Sequence, residues 1–263
     1  MLEPRKPIHY IRVDSRKHEE IQANTIVETP VSLTLNGEVW TTFMCTPIYL
    51  EALMVGFLFN EGVIDDLDEV ADVHICEHGD NVDVWLKHEA LKPDSWRRTS
   101  GCTGGVTALA SIQKPEPASV SGEFSLSPDQ VNHLTEILSD AQELYRETGG
   151  VHTSVLSDGE DIILSAEDIG RHNSLDKITG LCLMENIWPE KRILITTGRI
   201  SSEMLQKGAR MGAKLVASRT SPSSLSIELA QAWGITLIGY ARRNRFNLYA
   251  APERILLKTA QPS

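Results

Sequence analysis

The residue best suited to covalent chemistry is Cys102, which lies in the run RRTSGCTGG at positions 97–105. Three glycines surround this cysteine, so the backbone can adopt conformations that other residues avoid. Arg97 and Arg98 precede it, and nearby positive charge favours the thiolate, the form of cysteine that attacks sulfur or accepts it. A single cysteine in a glycine-rich loop is, however, more often an unreactive surface residue than a nucleophile. The loop alone therefore leaves both interpretations open.

A second candidate site consists of arginines that follow three predicted strands. The runs TGRIS, SRTSP and YARRNR occupy residues 197–201, 218–222 and 240–245. If the strands are parallel, these loops share one edge of the sheet, where helix amino termini offer free N–H groups. Because a guanidinium can bind two phosphate oxygens at once, the loops predict a phosphate or pyrophosphate site. The predicted ligand-binding residues are Arg199, Ser201, Arg219, Tyr240, Ala241, Arg242, Arg243, Asn244 and Arg245.

The charge distribution agrees with an anion at this edge. The formal net charge is −11, yet residues 189–263 contain 12 Lys and Arg against 4 Asp and Glu. The first 188 residues contain 13 against 32. Such asymmetry indicates that the carboxy-terminal part meets an anion. A solvated basic face, neutralised by the acidic remainder of the protein, is the alternative.

The run EDIGRHN at residues 167–173 is the other dense polar cluster. His172 could be a general base there, and Asp168 or Glu167 could orient it or bind a ribose hydroxyl. Alternatively, Asn173 is the N-cap of a helix and the acids pair with Arg171. A lone histidine elsewhere, His152, is a weaker candidate because such residues are more often structural.

The elements around these sites predict an α/β protein. Residues 1–96 form a small α+β unit, with a type I′ hairpin at Asn36-Gly37 and a helix that begins at Thr46-Pro47. Residues 97–122 form a mobile cysteine loop and linker. Residues 123–263 open with a helix capped by Ser127 and closed near residues 149–150, and then alternate strand and helix. That alternation predicts a mainly parallel sheet in three layers.

Composition excludes several protein classes. No apolar run approaches the roughly 20 residues needed to span a bilayer, so we expect a cytoplasmic protein with neither a membrane nor a nucleic acid as partner. The four cysteines are far apart and form no CxxC pair. A disulfide framework and a zinc ribbon are therefore not expected.

Several longer runs identify a family when they are read together with the cysteine loop. In chain order they are TPIYLEALMVGFLFNEGVI, GGVHTS, EDIGRHNSLDKITG, TTGRISSEM, SPSSLSIELA and GYARRNRFNLYAAPERI. The set resembles the FdhD family of formate dehydrogenase accessory proteins. The resemblance implies a cytidine-deaminase-like α/β domain, usually in a homodimer.

The resemblance also implies a function. Members of the family accept sulfur from a cysteine desulfurase as a persulfide on a loop cysteine. They pass it to the molybdenum or tungsten bis(guanine dinucleotide) cofactor destined for formate dehydrogenase. Cys102 matches the persulfide cysteine, and residues 240–245 match the family's cofactor-binding run. The predicted function is therefore a sulfurtransferase-type persulfide carrier, whose bound client carries pyrophosphates.

One position departs from the family pattern. Well-known members have CxxC in the loop, whereas Gly105 occupies the place of the second cysteine here. Transfer would then use Cys102 alone, or the two copies in a dimer. The alternative is a protein that binds and delivers the cofactor without chemistry.

A deaminase is not expected, although the implied fold is that of nucleoside deaminases. Those enzymes need H-x-E and P-C-x-x-C zinc motifs. The corresponding stretches here read HTS at 152–154 and PSSL at 222–225. We therefore expect no bound metal.

Overall fold

The computed structural model describes residues 3–92 and 124–257, and the backbone alone at residues 97–98 and 106–107. The amino-terminal part contains a hairpin and a separate four-stranded sheet. The hairpin joins β1 (Arg5–Val13) and β2 (His18–Ile26). The sheet has the order β4-β3-β6-β5 and carries one long helix, α1. Its elements are β3 (Thr29–Leu35), β4 (Glu38–Cys45), α1 (Leu50–Asn60), β5 (Val70–Ile75) and β6 (Asn81–Leu86).

The β3–β4 turn has the backbone that its sequence predicts. Asn36 and Gly37 both have positive φ, at 50° and 85°. A type I′ turn needs positive φ at both central residues, and its twist matches that of the flanking strands. The predicted hairpin is confirmed.

The start of α1 is a correction. We predicted the helix from Thr46, but it begins at Leu50, after Tyr49 in the left-handed conformation with φ 51°. Thr46 is engaged elsewhere: its N–H donates to Asp168 at 3.0 Å, and its hydroxyl accepts from the N–H of Ile169 at 3.2 Å. Long-range contacts, which the local sequence does not reveal, therefore replace the predicted cap.

The second part of the chain forms a six-stranded sheet with helices. A two-residue ladder comes first, in which β7 (Arg97–Arg98) pairs antiparallel with β8 (Val106–Thr107). The remaining elements are α2 (Pro128–Asp140), α3 (Glu143–Thr148), β9 (His152–Ser157), β10 (Ile162–Asp168), α4 (Arg171–Glu185), β11 (Ile193–Thr196), α5 (Ser202–Arg210), β12 (Leu215–Ser218), α6 (Ser224–Trp233), β13 (Thr236–Arg242) and β14 (Arg245–Ala250).

The sheet is mixed, so the prediction of a mainly parallel sheet is wrong. Its order is β10-β9-β11-β12-β13-β14. Only β11, β12 and β13 run parallel, and they are connected through helices. Short turns join β9 to β10 and β13 to β14, and a tight turn can connect only antiparallel neighbours. The three strands that end in arginine are nevertheless the parallel ones, so their carboxyl ends do lie on one edge.

Helices cover both faces of this sheet. Leu194, Val216 and Leu237 face one side, where α4, α5 and α6 pack. Ile195 and Ile238 face the other side, against α2. The strands are thus apolar on both faces, which explains their continuous hydrophobic sequences.

The amino end of α2 follows its predicted capping box. Ser127 accepts from the N–H of Gln130 at 3.2 Å, and Gln130 accepts from the N–H of Ser127 at 2.9 Å. The predicted single helix is, however, two helices. Gln142 leaves the helical region at φ −85° and ψ 70°, and Gly149 ends the second helix with φ 69°. The break lets the amide of Gln142 reach Arg219, as described below.

Helices α1 and α4 cross in direct backbone contact. A Cβ atom on Gly56 would lie 1.9 Å from the carbonyl oxygen of Asp176, and one on Gly180 would lie 1.8 Å from that of Ala52. Only glycine permits this approach. The contact fixes the amino-terminal part of the chain against the six-stranded sheet. Among the described residues, no helix is long and apolar enough to cross a membrane.

Candidate functional site

An open cavity of about 1110 Å³ lies beyond the carboxyl ends of β11, β12 and β13. This is the edge at which ligands bind in open α/β sheets. One wall consists of the loops that follow these strands, with Thr197, Arg219, Thr220, Arg242 and Arg243. The opposite wall comes from α2, α3 and the start of β9, with Thr135, Glu136, Ser139, Asp140, Gln142, Tyr145, Gly149, Gly150, Val151 and His152; Ile169 also contributes.

The arginines of the cavity are held in different ways. The guanidinium of Arg219 donates to the side-chain oxygen of Gln142 at 2.9 Å, which fixes it across the cavity. Arg243 lies 3.3 Å from a carboxylate oxygen of Glu136, with 83% and 49% of the two side chains exposed. So exposed a pair contributes little and is easily exchanged for another anion. Arg242 is also exposed, so both guanidinium groups are accessible from the cavity.

The run 240–245 folds as the end of a hairpin. Arg242 pairs with Arg245 across β13 and β14, and Asn244 has a positive φ of 63°. Tyr240 is also left-handed, with φ 51°, and its ring is half-exposed. Ala241 is buried in the core. This turn presents Arg242 and Arg243 at the cavity.

Not every predicted ligand-binding residue lines the cavity. Of the nine loop residues proposed from sequence, Arg219, Arg242 and Arg243 are in its wall. Arg199 is exposed in the loop before α5, and Ser201 is the N-cap of that helix. The sequence did not identify the wall formed by α2 and α3. This wall depends on the break between α2 and α3 at Gln142, and no local sequence pattern indicated that break.

Asp168 is a correction to the sequence prediction, because its carboxylate is completely buried. One oxygen lies 2.6 Å from the ammonium of Lys177, itself fully buried, and accepts the N–H of Thr46. The other accepts from Gly170 and from the amide of Asn173. Asp168 therefore joins the two parts of the chain and offers no surface to a ligand.

The neighbours of Asp168 are also structural. Glu167 accepts the N–H groups of Leu144 and Tyr145, at 2.6 and 3.1 Å, and so holds the amino end of α3. Asn173 is not the N-cap, since α4 begins at Arg171 after Gly170. Neither acid orients His172.

The partner of His172 is Glu203, which sequence reasoning missed. The Nε2 atom of His172 lies 3.3 Å from a carboxylate oxygen of Glu203 and 3.5 Å from the hydroxyl oxygen of Ser201. Burial lowers the pKa of His172, although the bond to Glu203 opposes the shift. Conversely, the hydrogen bond from His172 lowers the pKa of Glu203. The one signal in the sequence was the position of Glu203 in the first turn of α5, where a carboxylate is favoured by the helix dipole.

His152 lines the cavity, although the sequence gave it less weight than His172. Its Nδ1 lies 3.4 Å from the hydroxyl of Thr197. The pKa of His152 is lowered by burial first and by the charge of Arg171 second. The ring is therefore neutral at neutral pH.

The described cysteines differ from one another in chemistry. Burial raises the pKa of Cys45 and of Cys182 to about 12, so both are unreactive core residues. Cys76 donates its S–H to Asp80 at 3.0 Å. Cys102, the predicted persulfide residue, lies outside the described residues. Among the described residues, no group of three or more His, Cys, Asp or Glu side chains is arranged to hold a metal.

Comparison with known proteins places the chain. A family model described as the FdhD/NarQ family matches residues 26–256. The chain belongs to the FdhD/NarQ family. A "Sulfur carrier protein FdhD" from Staphylococcus aureus strain MRSA252 is 35% identical over 235 residues, covering 88% of this chain and 89% of the relative. The relative from strain bovine RF122 / ET3-1 gives the same values.

A solved structure agrees with this assignment. The crystal structure of a protein from Desulfotalea psychrophila, provisionally described as a formate dehydrogenase accessory protein, aligns with a TM-score of 0.80. It is 29% identical and covers 97% of this chain and 100% of its own. The predicted family is confirmed, and the mixed α/β fold is that of this accessory protein. The two Staphylococcus aureus relatives are named as sulfur carriers.

Proposed function

We propose that this protein accepts persulfide sulfur on Cys102 from a cysteine desulfurase and transfers it to a molybdenum or tungsten bis(guanine dinucleotide) cofactor. The acceptor serves formate dehydrogenase. The main structural support is the cavity at the carboxyl ends of β11, β12 and β13, which has Arg219, Arg242 and Arg243 in one wall. Guanidinium groups suit the pyrophosphates of such a cofactor. The names of the relatives support the sulfur-carrying step.

The first transfer exchanges one S–S bond for another. The Cys102 thiolate attacks the outer sulfur of the donor's persulfide, the donor's S–S bond breaks, and the donor cysteine leaves as a thiolate. A second thiol is not needed for this step. The presence of glycine rather than a second cysteine at position 105 is therefore compatible with the carrier function.

The second transfer returns Cys102 to its starting form. The S–S bond of its persulfide breaks, and Cys102 leaves as a thiolate with the electron pair of that bond. The transferred sulfur carries no electron pair from that bond, so the acceptor would have to supply the two electrons of its new bond to sulfur. No other cysteine of this chain is consumed.

Intact-mass spectrometry tests the carrier function. After incubation with cysteine desulfurase and cysteine, the wild type should gain the mass of one sulfur atom, and Cys102→Ala should gain none. Cys76→Ser is the matched control, because Cys76 is not buried in the core and should be dispensable. An unchanged wild-type mass, or the same gain in Cys102→Ala, would refute the proposal.

The second candidate function is delivery of the cofactor without sulfur chemistry, which the glycine at position 105 favours. It predicts that Cys102→Ser still supports an active formate dehydrogenase in cells, whereas Arg243→Ala does not. Loss of activity in Cys102→Ser, with the protein present at its normal level, excludes this candidate.

The setting of the reaction is also part of the proposal. We place the protein in the cytoplasm, as a homodimer that meets a cysteine desulfurase and formate dehydrogenase in turn. The three layers around the six-stranded sheet support a relation to the cytidine-deaminase fold. Sedimentation of the purified full chain tests the dimer.

A further inference from the structure

His152 combines a place in the cavity wall with a hydrogen bond that anchors its ring. It lies in the wall of the arginine-bearing cavity, as the first residue of β9. Its Nδ1 is tied to the protein, 3.4 Å from the hydroxyl of Thr197. One ring nitrogen is therefore anchored to a second residue of the cavity wall, Thr197.

The contacts of Thr197 favour one tautomer of the neutral ring. The Thr197 hydroxyl oxygen already accepts the backbone N–H of Thr153 at 3.0 Å. Its own hydrogen is available to donate to Nδ1 of His152, which leaves the ring proton on Nε2. The hydroxyl oxygen has a second lone pair, so it can also accept from Nδ1 if that nitrogen becomes protonated. The anchor therefore tolerates both charge states of the ring.

Besides burial, which is the main cause of its lowered pKa, charged groups on several elements act on the His152 ring. Arg171 and His172, at the start of α4, oppose its protonation, whereas Asp168 on β10 favours it. Asp168 is already paired with Lys177, which limits its influence on the ring. The cavity adds Arg219, Arg242 and Arg243, and the carboxylates Glu136 and Asp140 on α2. A strongly anionic ligand would add negative charge beside the ring and so favour protonation of His152.

We propose that His152 is a proton-coupled anion ligand of the cavity, neutral in the empty protein and protonated when phosphate oxygens bind beside the arginines. The proton comes from solvent and bonds to Nδ1, and the Thr197 hydroxyl turns from donor to acceptor. The imidazolium then offers Nε2–H to the anion as a charged donor. The inference rests on the proposed function only in taking the cavity as a phosphate site.

The expected consequence is that ligand affinity rises as the pH falls. The pKa of His152 lies below its ordinary value in the free protein, and a bound anion would raise it. Between these two pKa values, each bound ligand takes up one proton, and affinity changes by up to about tenfold per pH unit. Above both pKa values His152 stays neutral with or without the ligand, so affinity no longer depends on pH.

Calorimetric titration of the full chain with guanosine diphosphate mannose tests the proposal. This probe is chosen because its pyrophosphate diester keeps a constant charge, whereas a terminal phosphate titrates near pH 6. Titrations in buffers of different ionisation enthalpy should show uptake of up to one proton at about pH 7. His152→Gln should abolish the uptake and flatten the dependence of Kd on pH.

Two controls separate the possible outcomes. His133→Gln removes an exposed histidine of α2 and should keep the wild-type proton uptake. NMR titration of the wild-type histidine rings gives the tautomer and charge of His152 without any substitution. Binding without proton uptake, or uptake that persists in His152→Gln, overturns this inference alone. Failure of the probe to bind at any pH would instead refute the cavity as a phosphate site.

Discussion

Replacement of Asp168 by asparagine separates the structural role seen here from the ligand-binding role that the sequence predicted. The change keeps the shape of the side chain but leaves the ammonium of Lys177 buried without its carboxylate, which lies 2.6 Å away. Breaking a buried ion pair by removing one partner costs about 3–5 kcal/mol in the free energy of unfolding. At about 2–4 °C per kcal/mol for a chain of this size, Tm should fall by roughly 6–20 °C.

The assay is thermal unfolding, combined with binding of a nucleoside diphosphate below the transition. Lys177→Met in the Asp168→Asn background removes the stranded charge and should recover part of the lost stability. Asp72→Asn is the matched control, since this exposed carboxylate on β5 should change the free energy of unfolding by no more than about 0.5 kcal/mol. An unchanged Tm together with weakened ligand binding would show that Asp168 contacts the ligand, and the reasoning would be wrong.

Three further outcomes follow from the geometry. Arg219→Ala should weaken nucleoside diphosphate binding about 10- to 100-fold, the cost of losing a charged hydrogen bond, whereas Arg199→Ala, outside the cavity wall, should leave Kd unchanged in the same titration. Gly180→Ala should lower the free energy of unfolding in urea by about 1–3 kcal/mol or more, because its Cβ would meet the backbone of α1, and a wild-type midpoint would contradict that contact. Because burial lowers the pKa of His172, the unfolded chain binds the extra proton first, so stability should fall as the pH drops below about 6.5. Thermal scans should show a smaller fall in His172→Gln, and an identical fall would exclude His172 as its source.

Local patterns predicted the elements whose causes are local. The β3–β4 turn needed only Asn36-Gly37, and the amino end of α2 needed only Ser127 and Gln130. The three parallel strands and their arginines were also predicted, because strand–helix alternation reports on connectivity. The antiparallel edges of the sheet were not, since the prediction extended the parallel pattern to strands that short turns connect.

The errors at the site have one physical cause, which is competition from distant partners. Asp168 looks like a loop acid in the sequence, but Lys177, nine positions further on, and Thr46, from the other part of the chain, together use its oxygens. Glu203 was overlooked because it meets His172 only when α5 docks beside α4. No local periodicity encodes either contact.

The sequence by itself determined the family, the amino-terminal cap of α2, the β3–β4 turn, and the placement of arginines after three consecutive strands. These features depend on neighbouring residues and on chain order, both of which are written in the sequence. Only the tertiary structure decided which of those arginines line a cavity. It also decided that His152 lies in the wall of that cavity and that Asp168 is buried in the core. Those assignments depend on how α2 and α3 close over the sheet and how α1 crosses α4, where burial and long-range pairing outweigh local preference.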